Sequence, residues 1–160
     1  MEDTETAIDK FLEEVHDISV DKMLQPDPAL RAMVLRMDPS IPRYVFTASV
    51  RHHAERCLRA LGIDDLFVDI IDCKRCDLET KHSLHSFRAA MQCANVDEPE
   101  KCLFLDDSTK NLQTALEVGW RSVLVGTVGR DCGTKVGSPH AELEIGRIYE
   151  FERVLPEVFS

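Results

Sequence analysis

The chain has 160 residues, 44% hydrophobic and 30% charged, a one-domain length with enough apolar residues for a sizeable core. Lys and Arg total 19 and Asp and Glu 29, and the net charge of −10 argues against a surface that holds nucleic acid or an anionic membrane. No apolar run approaches the roughly 20 residues of a membrane span, and residues 1–9, with four acids and no base, read as neither secretory signal nor transit peptide.

The spacing predicts a first helix over 4–16, capped by Asp3 or Thr4, with Ala7, Phe11, Leu12 and Val15 on one face. Residues 25–28 break the chain. Asp27 is placed to cap a second helix whose first position is Pro28 and whose apolar stripe is Leu30, Met33, Val34 and Met37. Pro39 and Pro42 end it. No strand is predicted in the first 42 residues.

From Arg43 the pattern alternates. Tyr44-Val45-Phe46 reads as a strand ending in Thr47 and Ser49, and residues 51–61 as a helix buried through Ala54, Cys57, Leu58 and Leu61. Gly62-Ile63 is a Schellman-type stop. Residues 66–71 look like a strand and 72–80 like a polar loop. Lys81 precedes a helix with Leu84, Phe87, Ala90 and Met91 on its face.

Residues 102–105 are an unbroken apolar run, the pattern of a strand buried on both faces. Asp106 and Asp107 follow without a spacer, and Ser108 is placed to cap the next helix. Two adjacent acids at a strand end repel unless a cation or proton lies between them, which suggests Mg²⁺; equally, one Asp caps the helix and the other is solvated.

The next helix, 109–118, has Leu112, Ala115 and Leu116 inside and stops at Gly119. Residues 122–125 form a further strand, 126–137 a glycine-bearing stretch, 142–145 a short edge strand, and 148–154 a last helix closed by Pro156. The alternation from 43 to 126 predicts an α/β fold, a Rossmann-like doubly wound parallel sheet. Cys57, Cys73, Cys76, Cys93, Cys102 and Cys132 are scattered, three of them at apolar positions, and read as reduced thiols of a cytoplasmic protein.

A strand ending in Thr47, an isolated Lys81 before a helix, and a strand ending in Asp106-Asp107 occur in an order that resembles the haloacid dehalogenase superfamily, in particular its pyrimidine 5'-nucleotidase-like phosphatases. Val45-Phe46-Thr47-Ala48-Ser49 looks like that family's Phe-Thr-Asn-Ser segment, and the text of 53–62 and 104–111 resembles its flanking helices. Residues 24–31 resemble its return from a small helical cap into the core. The resemblance implies a cap remnant over 1–27 and a core over 28–160.

It also implies roles. Thr47, Ala48, Ser49 and Lys81 would hold the phosphate, with Thr47 and Lys81 serving catalysis and Asp106 and Asp107 holding Mg²⁺. The implied activity is Mg²⁺-dependent phosphomonoester hydrolysis on a small, nucleotide-like phosphorylated metabolite. Phosphoryl transfer calls for such donors and positive charge around the equatorial oxygens.

Ala48 stands where the family usually has Asn, and His82 where Pro commonly follows the lysine. The larger departure is an absence. The family's nucleophile strand carries two aspartates one residue apart, the first attacking phosphorus and the second serving as acid/base. Asp3, Asp9, Asp17, Asp21 and Asp27 lie in helical or turn text instead. The chain thus reads as starting inside the cap, with Met1 a mis-assigned start, the start of a short isoform, or that of a remnant without catalytic role. In the family that strand lies between those of Thr47 and Asp106, so its loss leaves two unpaired edges or makes them pair directly. The expected outcome is an inactive chain, or a non-catalytic module associating through the exposed sheet edge.

Rival constellations are weaker. Cys73-x-x-Cys76 with His82 and His85 has its second half too close for a zinc finger, and the pair lacks the strand-then-helix setting of a redox motif. His52-His53 reads as an exposed first helical turn. Residues 126–137 lack a Gly-x-Gly-x-x-Gly spacing, so no dinucleotide site is expected.

Overall fold

The computed structural model describes residues 19–128 and 133–159, together with Ala7, Lys10, Phe11 and Glu14. The helix predicted over 4–16 lies outside the described residues apart from those four, which are helical. Phe11, assigned to its apolar face, is 62% exposed.

A short helix α1, Val20–Met23, was not predicted; Val20 is buried as α1 packs on the later helix Arg51–Leu61. Helix α2, Pro28–Leu35, starts as the sequence dictates. Asp27 accepts a hydrogen bond from Leu30 N at 2.9 Å, and Pro28, which has no N–H to lose, takes the first position. Met33 and Val34 are buried.

Strand β1 is Tyr44–Phe46 and helix α3 is Arg51–Leu61. Gly62, at φ +74°, ends α3, with Gly62 N bonded to Arg59 O and Ile63 N to Leu58 O, the paired bonds of a Schellman stop. The following strand is shorter than predicted: β2 is Asp69–Ile71, because Leu66 N donates to Ile63 O and closes the 3-10 turn Asp64–Leu66. Arg31 holds that turn, bonding Gly62 O at 2.8 Å and Asp65 at 2.5 and 2.8 Å.

Within the predicted polar loop, Cys73–Cys76 form a 3-10 turn, and both thiols are buried. Burial pushes the Cys76 thiol up to about 11, helped by neighbouring Cys93 and Asp72, so it is a poor nucleophile near neutrality. Asp72, 5% exposed, accepts from Arg51 N at 3.0 Å and from Arg75 N at 3.2 Å. It thereby caps both α3 and the turn.

Asp69 receives the guanidinium of Arg51 at 2.7 Å and that of Arg75. These hydrogen bonds hold its carboxyl at about 2, against an ordinary 3.8. A carboxyl lower in the folded state contributes stability above its unfolded value and loses it as pH falls through the folded one. Between about pH 4 and 2, urea midpoints of the parent should fall more steeply than those of Asp69→Asn; parallel curves would contradict the assignment.

Helix α4, Leu84–Ala94, is capped by Ser83 and buries Ser86, Phe87, Ala90 and Met91. Leu84, expected inside, is 38% exposed in the first turn; Ser86 goes in because its Oγ bonds Thr80 O and Ser83 O. Strand β3 is Leu103–Asp106, helix α5 Thr109–Val118, strand β4 Arg121–Val125, and strand β5 Leu143–Ile145. Leu116 is 52% exposed, contrary to expectation, since Asn111 and Thr114 share the inner face of α5 with Leu112 and Ala115. The final helical segment runs as a 3-10 turn, Ile148–Glu150, into helix α6, Phe151–Val154.

All the strand pairs are parallel, but among the described residues they form two sheets, β1–β2 and β3–β4–β5. Direct pairing of β1 with β3 does not occur. The expectation that 102–105 is buried on both faces fails at Cys102, Leu103 and Leu105, which are half-buried. Core forms on both faces, one cluster around Met33, Leu58, Val123 and Phe151, the other around Phe87, Leu112, Leu124 and Trp120. No helix among the described residues is long and apolar enough to cross a membrane.

Candidate active site

The carboxyl ends of β1 and β3 meet at one side chain. Lys81, at the junction before α4, reaches Asp106 Oδ2 at 2.6 Å and Phe46 O at 3.5 Å. Its ammonium also lies 5.6 Å from the Phe46 ring centroid and 5.5 Å from that of Phe104. The pair is well shielded, with side-chain exposures of 15% for Lys81 and 7% for Asp106. An ammonium carries three N–H donors, so one is left without an acceptor among the described residues.

Asp106 is fixed from its other side. Its Oδ1 accepts from Ser108 N at 2.8 Å and from Asn111 Nδ2 at 3.0 Å. Asn111 lies in the stretch 104–111, to which the sequence assigned no such role. The available signal was its place in the first turn of α5, where a side chain reaches back over the strand end it follows. Ser108 caps α5 as expected, accepting from Asn111 N at 3.4 Å.

Thr47 continues β1 one residue past Phe46. Its Oγ1 accepts from Ser49 N at 3.0 Å, and its own O–H, still able to donate, has no acceptor among the described residues. Thr47 does not cap α3, since Asp72 holds Arg51 N. Ala48 is exposed and Ser49 half-buried in the same turn. The structure thus brings Thr47, Ala48, Ser49, Lys81 and Asp106 to one end of the strands.

Asp107 points differently from its neighbour and is exposed where Asp106 is buried. No group of three or more His, Cys, Asp or Glu side chains among the described residues is arranged to hold a metal ion. With both Asp106 oxygens hydrogen-bonded, the described residues offer part of an oxygen cage and do not complete one. His85 pairs instead with Asp77 at 2.8 Å, on the surface.

Known proteins bear on this arrangement. The chain is 28% identical over 111 residues to Phosphate metabolism protein 8 of Saccharomyces cerevisiae, an alignment covering 63% of this chain and 35% of that protein. It superposes on an L-2-haloacid dehalogenase of Xanthobacter autotrophicus, with chloropropionic acid covalently bound, at TM-score 0.68 and 13% identity, over 82% of this chain and 61% of the other. A putative HAD-hydrolase of Bacillus subtilis bound to magnesium matches at 0.65 and 18%, over 82% and 55%. A HAD phosphatase of Thermococcus onnurineus matches at 0.64 and 21%, over 87% and 65%. At these identities the structures speak for the fold alone.

The chain spans about a third of the yeast relative's length and 55% to 65% of these solved chains. A family model, that of the haloacid dehalogenase-like hydrolases, matches residues 1–119, most of the chain. With lysine and aspartate joined at the strand ends of a fold shared with its members, the chain belongs to the haloacid dehalogenase-like hydrolase family.

Proposed function

We propose that this chain carries the phosphate-holding part of a phosphomonoesterase that acts with Mg²⁺ on small phosphorylated metabolites, nucleoside monophosphates first. What supports the reading is the convergence of Lys81 on Asp106 at 2.6 Å beside Thr47. In it, the Thr47 hydroxyl and the turn through Ala48 and Ser49 face the phosphoryl oxygens, and the third N–H of Lys81 neutralises them. The likeness to a phosphatase and to a yeast phosphate-metabolism protein points the same way. Asp106 with Asp107 would contribute to holding Mg²⁺, which when bound supplies further positive charge for the phosphoryl group.

Asp106 does not serve as nucleophile in this reading, because its oxygens are engaged by Lys81, Ser108 and Asn111. Residues 1–42 hold no pair of aspartates one residue apart. Phosphate release from nucleoside monophosphates in Mg²⁺ should therefore stay at background for the 160-residue chain. A longer form carrying such a pair on a strand should turn over, and lose about 10²-fold or more on Lys81→Met. Turnover by the short chain that Asp106→Ala abolishes would show that the nucleophile is misplaced.

A second reading, a non-catalytic module that binds another chain, is favoured by one observation, the two separate sheets.

A further inference from the structure

Cys73-Lys74-Arg75-Cys76 takes no part in the site described above, yet the structure gives the pair a setting that its sequence did not show. Strand β2 ends at Ile71, and after Asp72 the chain enters the 3-10 turn Cys73–Cys76. Asp72 closes the start of that turn by accepting from Arg75 N at 3.2 Å. A 3-10 turn has three residues per revolution, so the side chains of Cys73 and Cys76 lie on one face. Hydrogen-bonded turns keep Cα atoms three residues apart within about 7 Å, and disulfides span about 4.4–6.8 Å. Both residues are buried, Cys73 at 8% exposure and Cys76 at 1%. Burial pushes both thiols up, so the reduced pair is neutral and slow to react.

The turn also holds the segment that carries Lys81. Leu78 N donates to Cys73 O at 2.8 Å and Glu79 N to Cys76 O at 2.9 Å. Asp77 and Leu78 stand in the left-handed region, at φ 53° and 60°, where side chains are strained. The Cys76 thiol donates to Ser86 O at 3.7 Å, and Ser86 Oγ donates to Thr80 O at 2.9 Å. Lys81 thus follows a strained stretch that Cys76 pins from two directions.

We propose that Cys73 and Cys76 are a redox-active dithiol, closed to a disulfide by a peroxide and reopened by a dithiol reductant, and that closure unseats Lys81 from Asp106. Peroxide reaches Cys73 first, the less covered of the two. Its sulfur attacks one peroxide oxygen; the S–O bond forms, the O–O bond breaks, and hydroxide leaves as water with the thiol proton. The Cys76 sulfur then attacks that of Cys73; the S–S bond forms, the S–O bond breaks, and a second water carries off the Cys76 proton. Two thiols have then given two electrons to one peroxide. A disulfide has no S–H to donate, so the bond from Cys76 to Ser86 O is lost. The strained residues Asp77 and Leu78 give way, and Lys81 moves with them. As control of the candidate site this rests on the proposed function; as chemistry of the pair it does not.

The 160-residue chain is reduced, treated with hydrogen peroxide, and cleaved after Lys and Arg under non-reducing conditions. Peptide 60–74 should be joined to peptide 76–81, and dithiothreitol should part them. Cys73→Ser and Cys76→Ser should each abolish the linked pair. Trp120 packs in the same cluster as Cys76, so its emission should change on oxidation and recover on reduction. Acetylation of Lys81 by acetic anhydride should run several-fold faster in the oxidised chain, because the ammonium has left Asp106.

No linked pair at saturating peroxide overturns the proposal, as does linkage of Cys73 or Cys76 to any other cysteine of the chain. A linked pair with unchanged Lys81 acetylation overturns the coupling to the site. Because neither measurement uses turnover, failure here and failure of the phosphatase reading are separate results.

Discussion

Phe87→Ala should remove most of the stability of this chain. Phe87 is fully buried and meets Phe46, Phe104 and Trp120 at centroid distances of 5.2, 5.3 and 4.8 Å. Truncating a buried phenylalanine costs about 3–5 kcal/mol, from lost transfer energy and the cavity left behind. Domains are stable by only about 5–15 kcal/mol, and here the aromatic cluster must also bridge two sheets that share no backbone hydrogen bond. Urea unfolding followed by circular dichroism should show the midpoint collapse toward zero for Phe87→Ala and a much smaller drop for Phe87→Leu. An unfolding free energy within about 1 kcal/mol of the parent's would mean that the cluster is not the bridge.

The second large effect is expected at Lys81 and Asp106. Removing one member of a buried pair strands the other charge, typically at about 3–5 kcal/mol, whereas replacing both by apolar groups can be neutral. Lys81→Met leaves the Asp106 carboxylate with Ser108 N and Asn111 Nδ2, so its loss should fall toward the low end of that range. Asp106→Leu leaves the Lys81 ammonium between two phenylalanine rings with Phe46 O at 3.5 Å and should cost more. The double variant should be more stable than Asp106→Leu alone. Additive losses across this cycle would show the pair to be solvated in solution.

How much of this was legible follows from the range of each interaction. Caps and stops are local, so Asp27, Gly62 and Ser108 could be placed from adjoining residues. Lys81 could be marked as a junction lysine, but its contacts with Phe46 and Asp106 depend on three elements arriving together. Asp72 was read as loop because the amide it caps, Arg51 N, lies 21 residues earlier and carries no mark in the sequence. Leu84 and Leu116 fit the helical period yet lie outside, since periodicity finds a face without fixing its width. The two sheets were foreseeable from resemblance alone; apolar patterning names strands and does not say which edges go unpaired.

The same interruption bears on how the chain folds. Tyr44 pairs with Asp69, Leu103 with Arg121, and Val123 with Leu143, so every ladder closes within its own part of the chain. Each part gains its backbone pairing at modest loop-closure cost, before the other is in place. What must form late is the contact between them, made of the aliphatic and aromatic clusters, the ion pairs Lys81–Asp106 and Arg36–Glu152, and one isolated bridge from Met37 to Phe159. Beyond that single bridge, docking of this kind contributes no hydrogen-bonded ladder between the sheets to hold a half-assembled layer. The two parts are therefore natural units of sub-global opening, with their seam at the end of the strands where Thr47 and Lys81 stand.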